Sequence, residues 1–379
     1  MSPNAAMPNR NDCRSAAAGR VHADTSRRAA TTRQCGMADM ARRYTRRRGD
    51  AARFDRPLAI ATDRSDDATM RIVAVPIALS FALGCTTPRV ATTIEGEVVR
   101  VTLAGEPFAS VHHAVTPRPY VFPIHGPGGV LMTRSFPMAE VQGEAKDHPH
   151  HCSLWFAHGS VDGIDFWQGK ERRPRQQQRG AVEVETTAAG AVVRCRYDWL
   201  VDDGTLVCSE LRELTFDGND DARTIDIAVT LRPAGHALVL GDTKEGMFAI
   251  RVAQPLCVEG HGATGVLTNS EGMTGAAVWG KRARWIDASG IVDHRAVGIA
   301  MFDHPDNHAH PTWWHARTYG LLAANPFGVH DFEKKPQGTG TLSLPANGQL
   351  RLRYRVLLHG AGWDRSRLDA AYGAWTAAR

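Results

Sequence analysis

From Thr93 onward, polar and apolar positions alternate with a period of two rather than 3.6, the signature of strands with one buried face. "EVVRVTLAGEPFASV" predicts a strand, a turn at Ala104–Pro107 and a second strand. "AVEVETTAAGAVVRCRYDWLVDDGTLVCSELRELTF" predicts three or four more, with turns at Ala188–Gly190 and Asp202–Gly204. "TIDIAVTLRP", "MFAIRVA", "AVWGKRARWIDASG", "RAVGIAMFD", "YGLLAAN" and "QLRLRYRVLLHG" continue the alternation. Helical spacing is confined to the C-terminal end, where Leu368, Tyr372 and Trp375 fall on one face after Trp363. Roughly fifteen or more short strands without helical crossovers predict an all-β fold. The expected form is a large antiparallel two-sheet β-sandwich over 93–362 with a short C-terminal helix at 363–379.

The N-terminal part does not share the pattern. Residues 1–69 hold fourteen arginines and eight aspartates but neither lysine nor glutamate, a net charge of +6 against +5 for the whole chain. Without apolar periodicity, this stretch reads as a disordered upstream extension rather than a nucleic-acid arm, although "RRYTRRR" would neutralise phosphate. "MRIVAVPIALSFALGC" then sets Arg71 before an apolar run and ends in small residues before Cys85, the layout of an export signal over 70–84. The "ALGC" ending resembles a bacterial lipobox, which implies lipidation at Cys85, a linker over 85–92 and a periplasmic or outer-membrane location held by a lipid anchor only. Without residues 1–84, thirty basic and thirty-two acidic residues remain, which gives no nucleic-acid footprint. Cys195 and Cys208 flank the "DDG" turn on neighbouring strands, so a bridge and two separate thiols are both open.

Three polar concentrations carry the candidate chemistry. "KDHPHHCSLWFAHG" holds Lys146, His148, His150, His151 and His158 around Trp155. Pro149 biases His148 to an extended conformation, which would put His148 and His150 on one face and His151 on the other. "FDHPDNHAHPTWWHARTYG" crowds Asp303, His304, His315 and Arg317 around Trp313 and Trp314 in a loop between strands, where functional groups tend to collect. "DTKEGMFAIRVA" offers Glu245 with Lys244 and Arg251 as cationic neighbours that would hold it ionised. The candidate acid and base groups are therefore His150, His151, Glu245, Asp303, His304 and His315. Arg134, Lys146, Trp155, His158, Arg251, Trp314, Arg317 and Asn325 are the candidate substrate contacts. Indole faces beside acid and amide groups suit sugar rings.

No cofactor is expected. The runner-up is a divalent metal held by His148 and His150 with His304 or His315. No phosphate-cradling glycine loop, G-x-S-x-G, H-E-x-x-H or C-x-x-C occurs, which argues against nucleotide enzymes, common serine hydrolases and zinc proteases.

Four segments in order, "RPYVFPIHGPGGVLMTRSFPM", "GEAKDHPHHCSLWFAHGSVDGIDFW", "DTKEGMFAIRV" and "MFDHPDNHAHPTWWHARTYGLLAANPFG", resemble the bacterial family labelled methane oxygenase PmoA-like, over about residues 95–360. A membrane-embedded oxygenase subunit needs several apolar spans of about 20 residues; no such span follows the signal-like segment, so the label does not fit as chemistry. The resemblance implies a secreted domain similar to the galactose mutarotase-like supersandwich. Its expected partner is a carbohydrate or glycan, on which it acts as an epimerase, lyase or hydrolase. A glycan-binding lipoprotein without catalysis is the alternative.

Overall fold

The computed structural model describes residues 89–187 and 190–378. The arm 1–69, the signal-like segment 70–84, Cys85 and the linker up to residue 88 lie outside the described residues. The first strand starts at Val90, three residues earlier than the alternation predicts.

Among the described residues, two nine-stranded antiparallel sheets and a small two-stranded one, Leu238–Leu240 with Leu342–Leu344, make up the domain. In the first, the strands run in the order Val90–Glu95, Val98–Leu103, Glu106–His112, Tyr120–Ile124, Leu154–His158, Gly246–Arg251, Leu321–Asn325, Trp313–Trp314 and Lys281–Arg282. The second runs Val266–Asn269, Trp285–Val292, Arg295–Asp303, Leu350–His359, Ala222–Pro233, Leu206–Gly218, Gly190–Leu200 and Arg175–Gln178, with Glu183–Thr187 also paired to Gly190–Leu200.

Their inner faces share one apolar core, as the period-two pattern requires. Aromatic pairs bridge the sheets. Phe108 meets Phe216 edge-on at 5.6 Å, and Phe248 stacks on Tyr354 at 4.9 Å. "GAVVRCRYDWL" shows the alternation most clearly, with Ala191, Val193, Cys195, Tyr197 and Trp199 turned inward. Cys195 lies opposite Arg212 and Cys208 opposite Trp199, so the two are separate buried thiols.

The helix Arg365–Ala377 forms where its spacing predicts, with Asp364 as N-cap accepting the Arg367 N–H at 2.9 Å. It buries Leu368, Tyr372 and Trp375 on the outer face of the second sheet, against Trp285, Phe302 and Leu357. Among the described residues, no helix is long and apolar enough to cross a membrane.

Three neighbouring central strands of the first sheet break the alternation. Leu154–His158, Gly246–Arg251 and Leu321–Asn325 are buried at every position. Their outward side chains Trp155, Ala157, Ala249, Leu321 and Ala323 form a second apolar cluster with Trp167, separate from the sandwich core. A sheet face that is polar in ordinary sandwiches is here the floor of a cleft.

Candidate active site

The cleft encloses about 500 Å³ above that floor. Its walls come from four separated segments: His148, His150 and His151; Gln168 and Lys170; Lys244 and Glu245; and His315, Arg317 and Tyr319.

The histidine segment is a turn and not an extended run. His148 sits at φ +46°, Pro149 and His150 occupy the turn, and the His151 N–H closes it onto the His148 carbonyl at 2.9 Å. This corrects the expectation that the rings divide between two faces. The turn gathers them, with His148, His150 and His151 ring centroids 4.5–5.7 Å apart. Tyr319, His148, His151 and Trp155 form a column of near-parallel rings, with successive centroids 5.1, 4.7 and 5.2 Å apart.

Asp147 anchors this turn, a role that nothing in its local sequence signals. Its carboxylate takes Arg134 Nη1 at 2.5 Å, Arg251 Nη2 at 2.8 Å and His148 Nδ1 at 2.6 Å. Burial alone would raise its pKa, but Arg251, His148 and Arg134 together hold it below the usual carboxylate value. Arg134 also donates to the carbonyls of Phe136, Ala145, Asp147 and His148. Both guanidiniums are buried, so Arg134 and Arg251 are positioning groups and not the substrate contacts their sequence position suggests.

Arg251 also fixes a tautomer. Its Nη1 lies 3.3 Å from His151 Nδ1. A guanidinium only donates, so Nδ1 carries the lone pair and the His151 proton sits on Nε2. Burial, then His150 and Arg251, push the His151 pKa far down, and the ring stays neutral.

His315 has the opposite polarity. Its Nδ1 lies 2.6 Å from the Lys244 carbonyl, which only accepts, so Nδ1 holds the proton and Nε2 keeps its lone pair. The Lys244 segment is itself held, since the Lys244 N–H donates to Asp331 at 2.9 Å and Asn325 Nδ2 donates to the Thr243 carbonyl at 2.8 Å. Burial lowers the His315 pKa, while the Lys244 carbonyl and the Glu245 charge work against it. Glu245 pairs with Lys244 Nζ at 2.9 Å. His150 is also neutral, its pKa lowered to about 4 by burial and by Arg118.

Asp303 and His304 do not join the cleft. Asp303 ends a strand of the second sheet, and its carboxylate closes the following loop on itself through Asn307, His310 and the Thr312 N–H at 2.7, 2.7 and 2.9 Å. His304 lies edge-on against Trp375 of the C-terminal helix at 5.0 Å. Between Asp303 and Trp313 the chain crosses from one sheet to the other, which is why His315 reaches the cleft and its neighbours in "FDHP" do not. His304 is therefore not available to a metal set with His148 and His150, whereas His315 shares the cleft with them. Among the described residues, no group of three or more His, Cys, Asp or Glu side chains is placed to hold a metal ion.

Other candidates are structural. Trp155 lies beneath His151, Trp314 is in the core with its Nε1 on the Ala283 carbonyl, Asn325 brackets the Lys244 loop, and Lys146 pairs outside the cleft with Glu140. Of the eight residues the sequence suggests as substrate contacts, Arg317 lines the cleft. Gln168, Lys170, Lys244 and Tyr319 line it without having been singled out as contacts.

His158 is fully buried and donates through Nε2 to the Gly241 carbonyl at 3.0 Å, leaving Nδ1 without a partner among the described residues. A Cβ at Gly246 would come within 2.7 Å of that Nδ1, so the chain there is closed against it. Burial lowers the His158 pKa to about 4. The unfolded chain therefore binds a proton as pH falls through the ordinary value of 6.5, while the folded protein does not until about 4. Stability from this group is full above 6.5 and is lost progressively as pH falls. The expected loss between about pH 7.5 and about pH 4.5 is on the order of 2–3 kcal/mol from His158 alone. His158→Gln, which keeps a donor toward Gly241, should flatten that part of the urea-denaturation profile. Identical pH slopes for variant and parent would show that His158 does not titrate this way.

A family model described as a family of unknown function (DUF6807) matches residues 98–373. No curated protein matches the chain. Among solved structures, it is similar to a galactose mutarotase-like protein from Clostridium acetobutylicum, at 8% identity and TM-score 0.37 over 72% of this chain and 98% of that one. A galactose mutarotase-like protein from Lactobacillus casei ATCC 334 matches at 10% identity and TM-score 0.31, over 71% of this chain and 100% of that one. The 4-alpha-glucanotransferase of Thermococcus litoralis matches at 12% identity and TM-score 0.28, over 72% of this chain and 40% of that one. The methane oxygenase PmoA-like label does not recur in these matches.

Proposed function

We infer the function of this chain, which belongs to the DUF6807 family of unknown function, from its cleft: it is an enzyme that moves a proton on a carbohydrate. The observation that carries this reading is the pair of neutral imidazoles with opposite polarity on one cavity, His315 presenting a lone pair and His151 an N–H. A base and a donor fixed in place are what proton transfer with charge developing on an oxygen requires. His315 Nε2 takes the proton, and the Glu245 carboxylate stabilises the imidazolium that results. His151 Nε2–H donates to the oxygen that gains charge. The depressed His151 pKa keeps it a neutral donor and not a proton reservoir.

The polarity of the lining supports a polyol. Most small-molecule pockets are mainly apolar, whereas this one offers acceptors at Glu245, Gln168 and His315 and donors at Lys170, Arg317 and His151. Hydroxyl groups, which both donate and accept, satisfy such a mixture. In anomer interconversion, elimination or hydrolysis, His315 takes the proton from the reacting hydroxyl, C–H or water and returns it as imidazolium to the oxygen whose bond to carbon breaks, while the His151 N–H stabilises the charge that develops on oxygen. Export through the 70–84 segment and lipidation at Cys85 belong to the same proposal and place the substrate outside the cytoplasm.

The test is a turnover screen of mono- and disaccharides followed by NMR, comparing the parent with the His151→Ala/His315→Ala double variant. The reading requires product with the parent and its loss in the variant. Saturable binding with no product after long incubation would replace it with a glycan-binding role, and full turnover by the double variant would remove the two histidines from the chemistry.

A further inference from the structure

Behind the His150 wall lies a second chamber of about 330 Å³ that shares Pro149, His150, Gln168 and Lys170 with the cleft. Its inner wall holds Arg118, which is 4% exposed. The guanidinium is badly served by the protein. Its one hydrogen bond is from Nη1 to the His150 carbonyl at 3.4 Å, and among the described residues it has no ion pair. Asp165, the carboxylate that acts on it electrostatically, already accepts the N–H groups of Trp167 and Gln168 at 2.8 and 2.9 Å. The other deeply buried arginines have closer partners, although Nε of Arg223 and of Arg251 is left without one among the described residues. Arg134 and Arg251 share Asp147, Arg212 reaches Glu210 at 2.6 Å, and Arg223 donates to the carbonyls of Pro107 and His125 at 2.7 and 3.0 Å.

An isolated buried charge is strongly unfavourable unless something pairs with it. Arg118 carries that cost on the wall of a cavity, with N–H groups that have no acceptor among the described residues. Burial lowers its pKa more than the opposing pull of Cys152 and Asp165 raises it, so among the described residues this cation has no directly paired anion. Lys170, exposed at the junction of the two chambers, adds a second positive charge. A planar guanidinium with free N–H groups matches a carboxylate or a sulfate in a paired, two-point contact.

We propose that the second chamber is an oxyanion subsite in which Arg118, assisted by Lys170, receives the acidic substituent of the substrate, so that the protein acts on an acidic sugar, a uronate or a sulfate ester, and not a neutral one. This rests on the carbohydrate reading of the neighbouring cleft. The substituent enters the second chamber beside Tyr120 and Pro117, and the ring stays in the cleft between His151 and His315.

The test is a calorimetric titration of the full chain and of Arg118→Met with methyl glucuronide, methyl galacturonide, glucose 6-sulfate and the corresponding neutral methyl glycosides. Inorganic sulfate and acetate are titrated separately. The expected result is an affinity at least about tenfold higher for acidic than for neutral sugars, reduced to the neutral level in Arg118→Met. The uronate and sulfate arms identify which oxyanion the subsite takes. Because Arg118→Met removes an unpaired buried charge, its melting temperature should be equal to or above that of the parent, which separates lost recognition from lost folding. Equal affinity for acidic and neutral sugars, or a preference that survives Arg118→Met, overturns the subsite and leaves the carbohydrate reading standing. Sulfate or acetate binding that depends on Arg118, with no sugar bound, keeps the oxyanion site and overturns the carbohydrate reading. Absence of any binding overturns both.

Discussion

His315→Ala is expected to lower turnover by about 10²–10⁴-fold while leaving the fold intact. The magnitude follows from removing the lone pair that accepts the proton, since the oriented Nε2 of His315 has no substitute within the cleft at the same position. Glu245 acts on His315 electrostatically and is already paired to Lys244. The ring rests against Trp279 and Phe332 at 6.3 and 6.2 Å, so truncation leaves a pocket of imidazole shape. Free imidazole added to His315→Ala should therefore recover part of the lost rate, which a purely structural role would not allow. The pH profile gives a second handle. Burial lowers the His315 pKa below 6.5, so the base is neutral at pH 7, and activity should fall only as pH drops below the ordinary histidine value. An acid limb at or above 6.5, or no loss in His315→Ala, would show that another group takes the proton. His151→Ala, which removes a donor, should cost less, on the order of 10²-fold.

Asp147→Ala is expected to destabilise the protein by about 3 kcal/mol, toward the lower end of what breaking a buried ion pair costs, since the carboxylate is 38% exposed while its two guanidiniums are 1% and 2% exposed. Two buried cations then face each other with no anion between them. The fall in melting temperature should be roughly 5–10 °C. The loss extends to the site, because Arg251 is then free to leave His151 Nδ1, and the turn at 148–151 loses the carboxylate that holds His148. Removing one of the two cations relieves their repulsion, so Arg134→Met combined with Asp147→Ala should be more stable than Asp147→Ala alone. A melting temperature within about 1 °C of the parent would mean that Asp147 does not carry this charge, and that the histidine turn is held by its backbone alone.

The strands were legible in the sequence wherever one face meets water or the other sheet, because side-chain direction then alternates in step with burial. In "GAVVRCRYDWL" the inward residues are the ones the sandwich core needs. "LWFAH" gives no such alternation, because the cleft floor covers its second face. The helix at 365–377 declared itself through Leu368, Tyr372 and Trp375.

The site was legible as residue types but not as geometry. His150, His151, Glu245 and His315 do meet, and their clustering in polar, turn-rich stretches was the usable signal. The expectation of alternating His148, His150 and His151 failed because Pro149 sits inside a turn. Asp303 and His304 were misleading because they share a segment with His315 but belong to the other sheet. Asp147 and Arg118 gave no sign, since one draws its importance from arginines 13 and 104 residues away and the other from a partner it lacks.

The most direct test of the central claim is the protonation state of the two imidazoles, read from long-range ¹H–¹⁵N correlations of ring nitrogens in the folded protein at neutral pH. The expected spectrum shows His315 neutral with its proton on Nδ1, and His151 neutral with its proton on Nε2. A spectrum in which either ring is an imidazolium, or in which both carry the proton on the same nitrogen, would contradict it and leave the cleft without its base and donor.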